Sequence, residues 1–204
     1  MKTGRDRPPE AVPPAVLRLL GAETAERLAR YVEMADRWSR AVDLVAGGLP
    51  GVRLWALIED SLAALPHLPH EGRLLDIGSG VGIPAVPLLV ARPRLHGVLL
   101  EPRERRWAFL REVVRELGLS AEVRRERLTP TVGTSFAAVT VRGVERSQWE
   151  GLAAGALAAD GVVVWWTSES LAAAPAGSGK GHVLLCPMPT AGRGACVVWS
   201  PRST

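Results

Sequence analysis

No apolar run in the 204-residue chain reaches the roughly 18 residues that a bilayer-spanning helix needs, so none is expected. The start of the chain, residues 1–14, is polar and proline-rich and has no signal-peptide core, which points to a cytoplasmic protein. Cysteine is scarce. Cys186 and Cys196 sit in separate apolar runs and read as two buried, reduced thiols rather than a disulfide or a metal site. Lysine is nearly missing, with Lys2 and Lys180 alone, so arginine carries the net charge of +4. Arginine suits phosphate and base contacts, but an excess this modest and dispersed permits a nucleic-acid partner without demanding one. There is no internal repeat and no Gly-Lys-Ser/Thr phosphate loop. The four histidines, His67, His70, His96 and His182, lack ligand-like pairing except His67 and His70 around a loop proline, so no metal is expected.

What is present is enough apolar residue, 47%, to build a proper core. Residues 1–12 read as a flexible arm. Helices are expected over 15–20, 22–45 and 53–65, separated by Gly21 and by the Gly47-Gly48 and Pro50-Gly51 breaks. The second carries one stripe, Leu28, Tyr31, Ala35, Trp38, Val42 and Val45; the third turns Leu54, Leu57, Ile58, Leu62 and Leu65 inward. Residues 13–70 thus form a helical cap. From residue 71 to 204 the pattern becomes strand, helix, strand. Strands are expected at 74–77, 95–100, 121–124, 136–141 and 161–166, with helices at 83–91, 103–117 and 147–158. A small-residue loop, 172–181, precedes two closing strands, 182–186 and 195–199. This is an α/β chain with a mainly parallel seven-stranded sheet, helices on both faces and an antiparallel pair at one edge.

The stretch Leu75-Asp76-Ile77-Gly78-Ser79-Gly80-Val81-Gly82-Ile83-Pro84 carries the chemistry. An apolar strand ends in Asp76 and breaks into three alternating glycines, whose amides can approach a ligand closely. Glu101 closes the next apolar run and can accept hydrogen bonds from a ribose, or serve only as a helix N-terminal charge. A dinucleotide turn would want its third glycine at position 83, where Ile83 stands. A ligand without pyrophosphate is favoured, and S-adenosylmethionine meets that description.

On these residues the chain resembles the RsmG (GidB) type of 16S ribosomal RNA guanine-N(7) methyltransferases. The resemblance runs from the glycine stretch through Glu101-Pro102, Arg105-Arg106-Trp107-Ala108-Phe109-Leu110 and Val141-Arg142-Gly143. In the cap, Asp43-Leu44 and Asp60-Ser61-Leu62 stand where the family has Asn-Leu-Thr and His-x-x-Asp-Ser. It implies a Rossmann-like class I methyltransferase fold and S-adenosylmethionine as cofactor. It implies cofactor contacts at Asp76, Gly78, Gly80, Gly82, Ile83 and Glu101, an adenine loop at Leu128 and Thr129, and Arg142 at the active-site mouth as a catalytic and cofactor-binding residue. The implied partner is 16S rRNA or the small ribosomal subunit, met by a monomer. Arg103, Arg105, Arg106, Arg111, Arg124, Arg125 and Arg127 would serve RNA contact or, interleaved with glutamates, a solvated ion-paired face. The family's polar positions are Leu57, Val45, Val141, Thr129 and Thr167 here. A small-molecule or peptide acceptor, or cofactor binding without catalysis, therefore stands beside the rRNA reading.

Overall fold

The computed structural model describes residues 11–42, 44, 51–168, 183–187 and 194–199. Three helices come first. Helix α1 (Pro14–Leu20) starts on a proline whose fixed φ suits a first turn, and Gly21 ends it, at φ +77°, with its N–H on the Leu17 carbonyl. Helix α2 (Ala22–Ala41) buries Leu28, Tyr31 and Ala35 along one face, as their spacing predicts. It stops four residues before the expected end at residue 45. Val42 is already extended, yet still packs on the core. Val45, Gly47, Gly48 and Pro50 lie outside the described residues. Helix α3 (Gly51–Leu62) begins two residues early and ends before Leu65, which opens a single 3-10 turn, Leu65–His67, with Pro66 in its first positions.

The rest alternates: β1 (Glu71–Ile77), α4 (Ala85–Ala91), β2 (Arg94–Leu100), α5 (Glu104–Glu116), β3 (Ala121–Arg124), β4 (Phe136–Arg142), α6 (Glu150–Ala156), β5 (Leu157–Ser168), β6 (Val183–Pro187) and β7 (Gly194–Trp199). The seven strands form one sheet in the order β3-β2-β1-β4-β5-β7-β6. The first five run parallel, and β7 lies antiparallel between β5 and β6, so the expected reversed pair is real. The expected helix over 147–158 is shorter. A 3-10 turn, Arg146–Gln148, and a non-helical Trp149 precede α6. Strand β5 starts at Leu157, earlier than expected, because Leu157 pairs with Phe136 before a register shift. There a Cβ on Gly161 would stand 2.7 Å from the Phe136 carbonyl.

Strand alternation divides the core. Leu74, Leu95, Leu99, Ala138, Val164 and Val198 face one side, packed with α4, α5 and the three N-terminal helices. Leu75, Ile77, Val98, Val139, Val163 and Val197 face the other, covered by Trp149, Ala153 and Ala156 at α6. The N-terminal helices thus share one apolar cluster with the sheet. Polar ties reinforce it: Arg27 donates to the Leu117 carbonyl at 2.7 Å, and Arg92 to the Leu65 carbonyl at 3.1 Å. Cys196 is fully buried; the side chain of Cys186 lies outside the described residues. No described helix is long and apolar enough to cross a membrane.

Candidate active site

Parallel strands of an α/β sheet release their loops at the carboxyl edge, beside the point where strand order reverses. Here β1 lies between β2 and β4, so the loops after all three border one cleft of about 600 Å³. The loop after β1 holds the three glycines, all at positive φ. Their reasons differ. A Cβ on Gly78 would stand 2.6 Å from Val144, so this glycine lets the loops after β1 and β4 close on each other. A Cβ on Gly80 would meet nothing nearer than 3.8 Å. A Cβ on Gly82 would strike Val86 at 2.5 Å and Leu110 at 3.0 Å, so Gly82 serves helix packing. Ile83 is likewise buried in the shared cluster.

Glu101 directly follows β2, at 3% exposure. Its Oε2 accepts the Gly80 N–H at 2.9 Å and its Oε1 the Arg103 N–H at 2.7 Å. The carboxylate therefore fixes the glycine loop and still has unused lone pairs, since each oxygen can accept twice. Ser79 N–H on the Leu100 carbonyl (2.9 Å) and Gly82 N–H on the Ser79 carbonyl (2.7 Å) add to the loop's bonds. From α2, the Tyr31 hydroxyl donates to the Val81 carbonyl at 2.7 Å.

Asp76 is fully buried under this loop. Its Oδ1 accepts from the Thr140 hydroxyl at 2.6 Å, while Oδ2 has no partner. Burial pushes its pKa from 3.8 to about 6; the Thr140 and Ser79 hydroxyls pull it down and the Glu101 charge adds to the rise.

Of the expected residues, Gly78, Glu101 and Leu128 line the cleft. Thr129 does not; it is exposed, with its hydroxyl 2.9 Å from that of Thr131. Arg142, expected at the mouth, is not a lining residue either. Its Nη2 lies 3.5 Å from Oδ2 of Asp60, a 1%-exposed carboxylate on α3, and its Nη1 is buried without a partner. Burial lowers the Arg142 pKa and Asp60 opposes that shift. Arg103 and Arg106, read from sequence as RNA contacts or as part of a solvated ion-paired face, stand in the cleft wall, and Arg106 Nε donates to the Leu44 carbonyl at 2.7 Å. Glu126, Glu145 and Gln148 also line it and were missed. Their one signal is position, in the loops after β3 and β4. Elsewhere on the arginine face two ion pairs form, Arg124 with Glu122 at 2.9 Å and Arg125 with Glu104 at 3.3 Å. Among the described residues no group of three or more His, Cys, Asp or Glu could hold a metal ion.

Known proteins fit this geometry. Solved structures with the same architecture include ribosomal protein L11 methylase from Lactobacillus delbrueckii subsp. bulgaricus (TM-score 0.56, 15% identity, 71% of this chain and 77% of that one). Another is precorrin-6y C5,15-methyltransferase from Geobacter metallireducens (TM-score 0.52, 13% identity, 74% and 89%). The fold is the Rossmann-like α/β fold of methyltransferases. Residues 24–156 match the family described as rRNA small subunit methyltransferase G, and the chain belongs to that family. Relatives named ribosomal RNA small subunit methyltransferase G occur in Alkalilimnicola ehrlichii, 43% identical over 95 residues (47% of this chain, 43% of the relative). One in Frankia casuarinae is 42% identical over 126 residues (59% and 45%). The matched stretch spans less than half the length of either relative.

Proposed function

We propose that this chain is an S-adenosylmethionine-dependent methyltransferase that methylates guanine N(7) in 16S ribosomal RNA of the small subunit, in the cytoplasm. The observation that carries the reading is Glu101, a nearly buried carboxylate that holds the Gly80 amide at the edge of a cleft of about 600 Å³. A cleft of that size suits a cofactor-sized ligand. The residues present fit this cofactor. The spare lone pairs of Glu101 suit ribose hydroxyls, Gly78 and Gly80 leave backbone room, and Asp76 keeps an oxygen without a partner beneath the loop. Leu128 provides an apolar wall for the adenine, with Thr129 following it. Gly82 and Ile83 hold the loop from behind, and Arg142 braces the end of β4 against α3.

S-adenosylmethionine, when bound, supplies a methyl group on a sulfonium. Guanine N(7) carries its lone pair at neutral pH, so the reaction needs no general base, in keeping with a cleft that presents no catalytic dyad. The work of this chain is to align nitrogen, carbon and sulfur in line, which supplies most of the acceleration. Ile77, Leu100 and Val144 in the wall would keep water from the transferring group while the positive charge that leaves sulfur passes with the methyl to the guanine ring, spread in the transition state between sulfur and N(7). The test uses methyl-labelled S-adenosylmethionine and small subunits that lack the modification. Label on a guanine is the expected result. Intact cofactor binding with unlabelled RNA would move the acceptor to another class of molecule.

A further inference from the structure

The cap touches three of the segments around the cleft. From α2, Tyr31 reaches the glycine loop; Leu44, just beyond α2, takes the Arg106 hydrogen bond; from α3, Asp60 meets Arg142 at the end of β4. The first tie is the best defined. Tyr31 is fully buried, 50 residues from its acceptor, and its Oη–O distance of 2.7 Å is that of a good hydroxyl hydrogen bond. Its ring is held in turn: Phe109 of α5 lies 6.4 Å away, and Trp38 meets Phe109 edge-on at 5.6 Å. Burial, and then the Asp76 charge, push the phenol's pKa up, so the group stays a neutral donor.

The acceptor matters more than the strength. The Val81 carbonyl belongs to the peptide unit whose N–H is that of Gly82, which itself donates to Ser79. Fixing this unit fixes the turn that carries Gly80, whose amide faces Glu101. A glycine-rich turn has many accessible conformations, and each one lost before binding is a conformational cost that the ligand no longer meets.

We infer that Tyr31, a cap residue outside the cleft, is a positioning residue for the cofactor: its hydroxyl holds the glycine loop in the shape that binds S-adenosylmethionine. The inference rests on the cofactor reading above. It also makes the N-terminal helices part of the cofactor site.

The test is calorimetric binding of S-adenosylhomocysteine to the full chain and to Tyr31→Phe, which keeps the ring and removes the hydroxyl. Loss of one buried hydrogen bond that shapes the site should weaken binding about five- to tenfold. In turnover with the acceptor found above, KM for S-adenosylmethionine should rise while kcat holds. Phe109→Leu serves as the comparison, since it loosens the same packing and keeps the hydroxyl. It should melt lower and bind within about twofold of the parent. Tyr31→Phe within about twofold of the parent would overturn the inference. So would equal weakening in both variants, which would mark a packing effect. A parent chain that binds no S-adenosylhomocysteine would overturn the cofactor reading itself, and this inference with it.

Discussion

Asp76 illustrates how one residue can work against the fold that holds it. Its carboxyl titrates near 6 when folded and near 3.8 ordinarily. The folded chain therefore binds that proton more tightly than the unfolded chain. The stabilising contribution is complete below about pH 4 and is lost as pH rises through 6. Asp76→Asn mimics the protonated group at every pH and should gain on the parent across that window, by on the order of 2–3 kcal/mol. Urea midpoints of both proteins at pH 4 and pH 7 read this directly. A difference that does not change with pH would show that burial does not tax the carboxylate.

The three glycines also separate at this scale. Gly80→Ala meets open space and bears only the left-handed backbone, about 1–2 kcal/mol. Gly82→Ala adds a clash with Val86 and Leu110 and should lose about 3 kcal/mol or more. Thermal melts should rank Gly82→Ala well below Gly80→Ala. The reverse order would mean that the helix face, not the loop, has room.

At the scale of elements, the tie between α3 and β4 makes its own prediction. Arg142→Ala leaves the buried Asp60 carboxylate without this partner and should cost roughly 2–4 kcal/mol in denaturant unfolding. A stable Arg142→Ala protein with impaired transfer would assign the arginine to the acceptor instead. Nothing local announces this contact, because its partners are 82 residues apart. The same limit explains what could be read in advance. Strand β3 was legible to the residue, since a short alternating run between turns has few alternatives. The start of β1 was not. Glu71, Gly72 and Arg73 look like loop, and only pairing with Arg94, Leu95 and His96 makes them strand. Gly78 and Glu101 could be placed in the cleft from strand, turn and helix order, whereas Leu128 came only from the family resemblance. Arg106 on α5, and Glu126 and Glu145 in the loops after β3 and β4, could not, because these segments come together only when the sheet sets its order.

For the whole molecule, the charge pattern limits how RNA is held. Arg124, Arg125 and Arg146 are engaged by glutamates, so each of them displaces a counterion only by opening its ion pair. The logarithm of RNA affinity against that of salt should have a slope shallower than about −4, counted as roughly 0.7–0.9 per phosphate. Filter binding between about 50 and 200 mM salt measures it. A slope near −8 would mean that these ion pairs open on contact.

The reversed strand bears on how the chain is made. Ribosomes deliver β5 and β6 before β7, yet β7 is the strand that fits between them. Until Gly194–Trp199 emerges, the edge of β5 from Val163 to Ser168 has no neighbour on that side. A nascent chain at that stage presents an unpaired edge carrying two tryptophans, a template for unwanted pairing. Late synthesis, rather than heat, is then the moment of greatest exposure to aggregation.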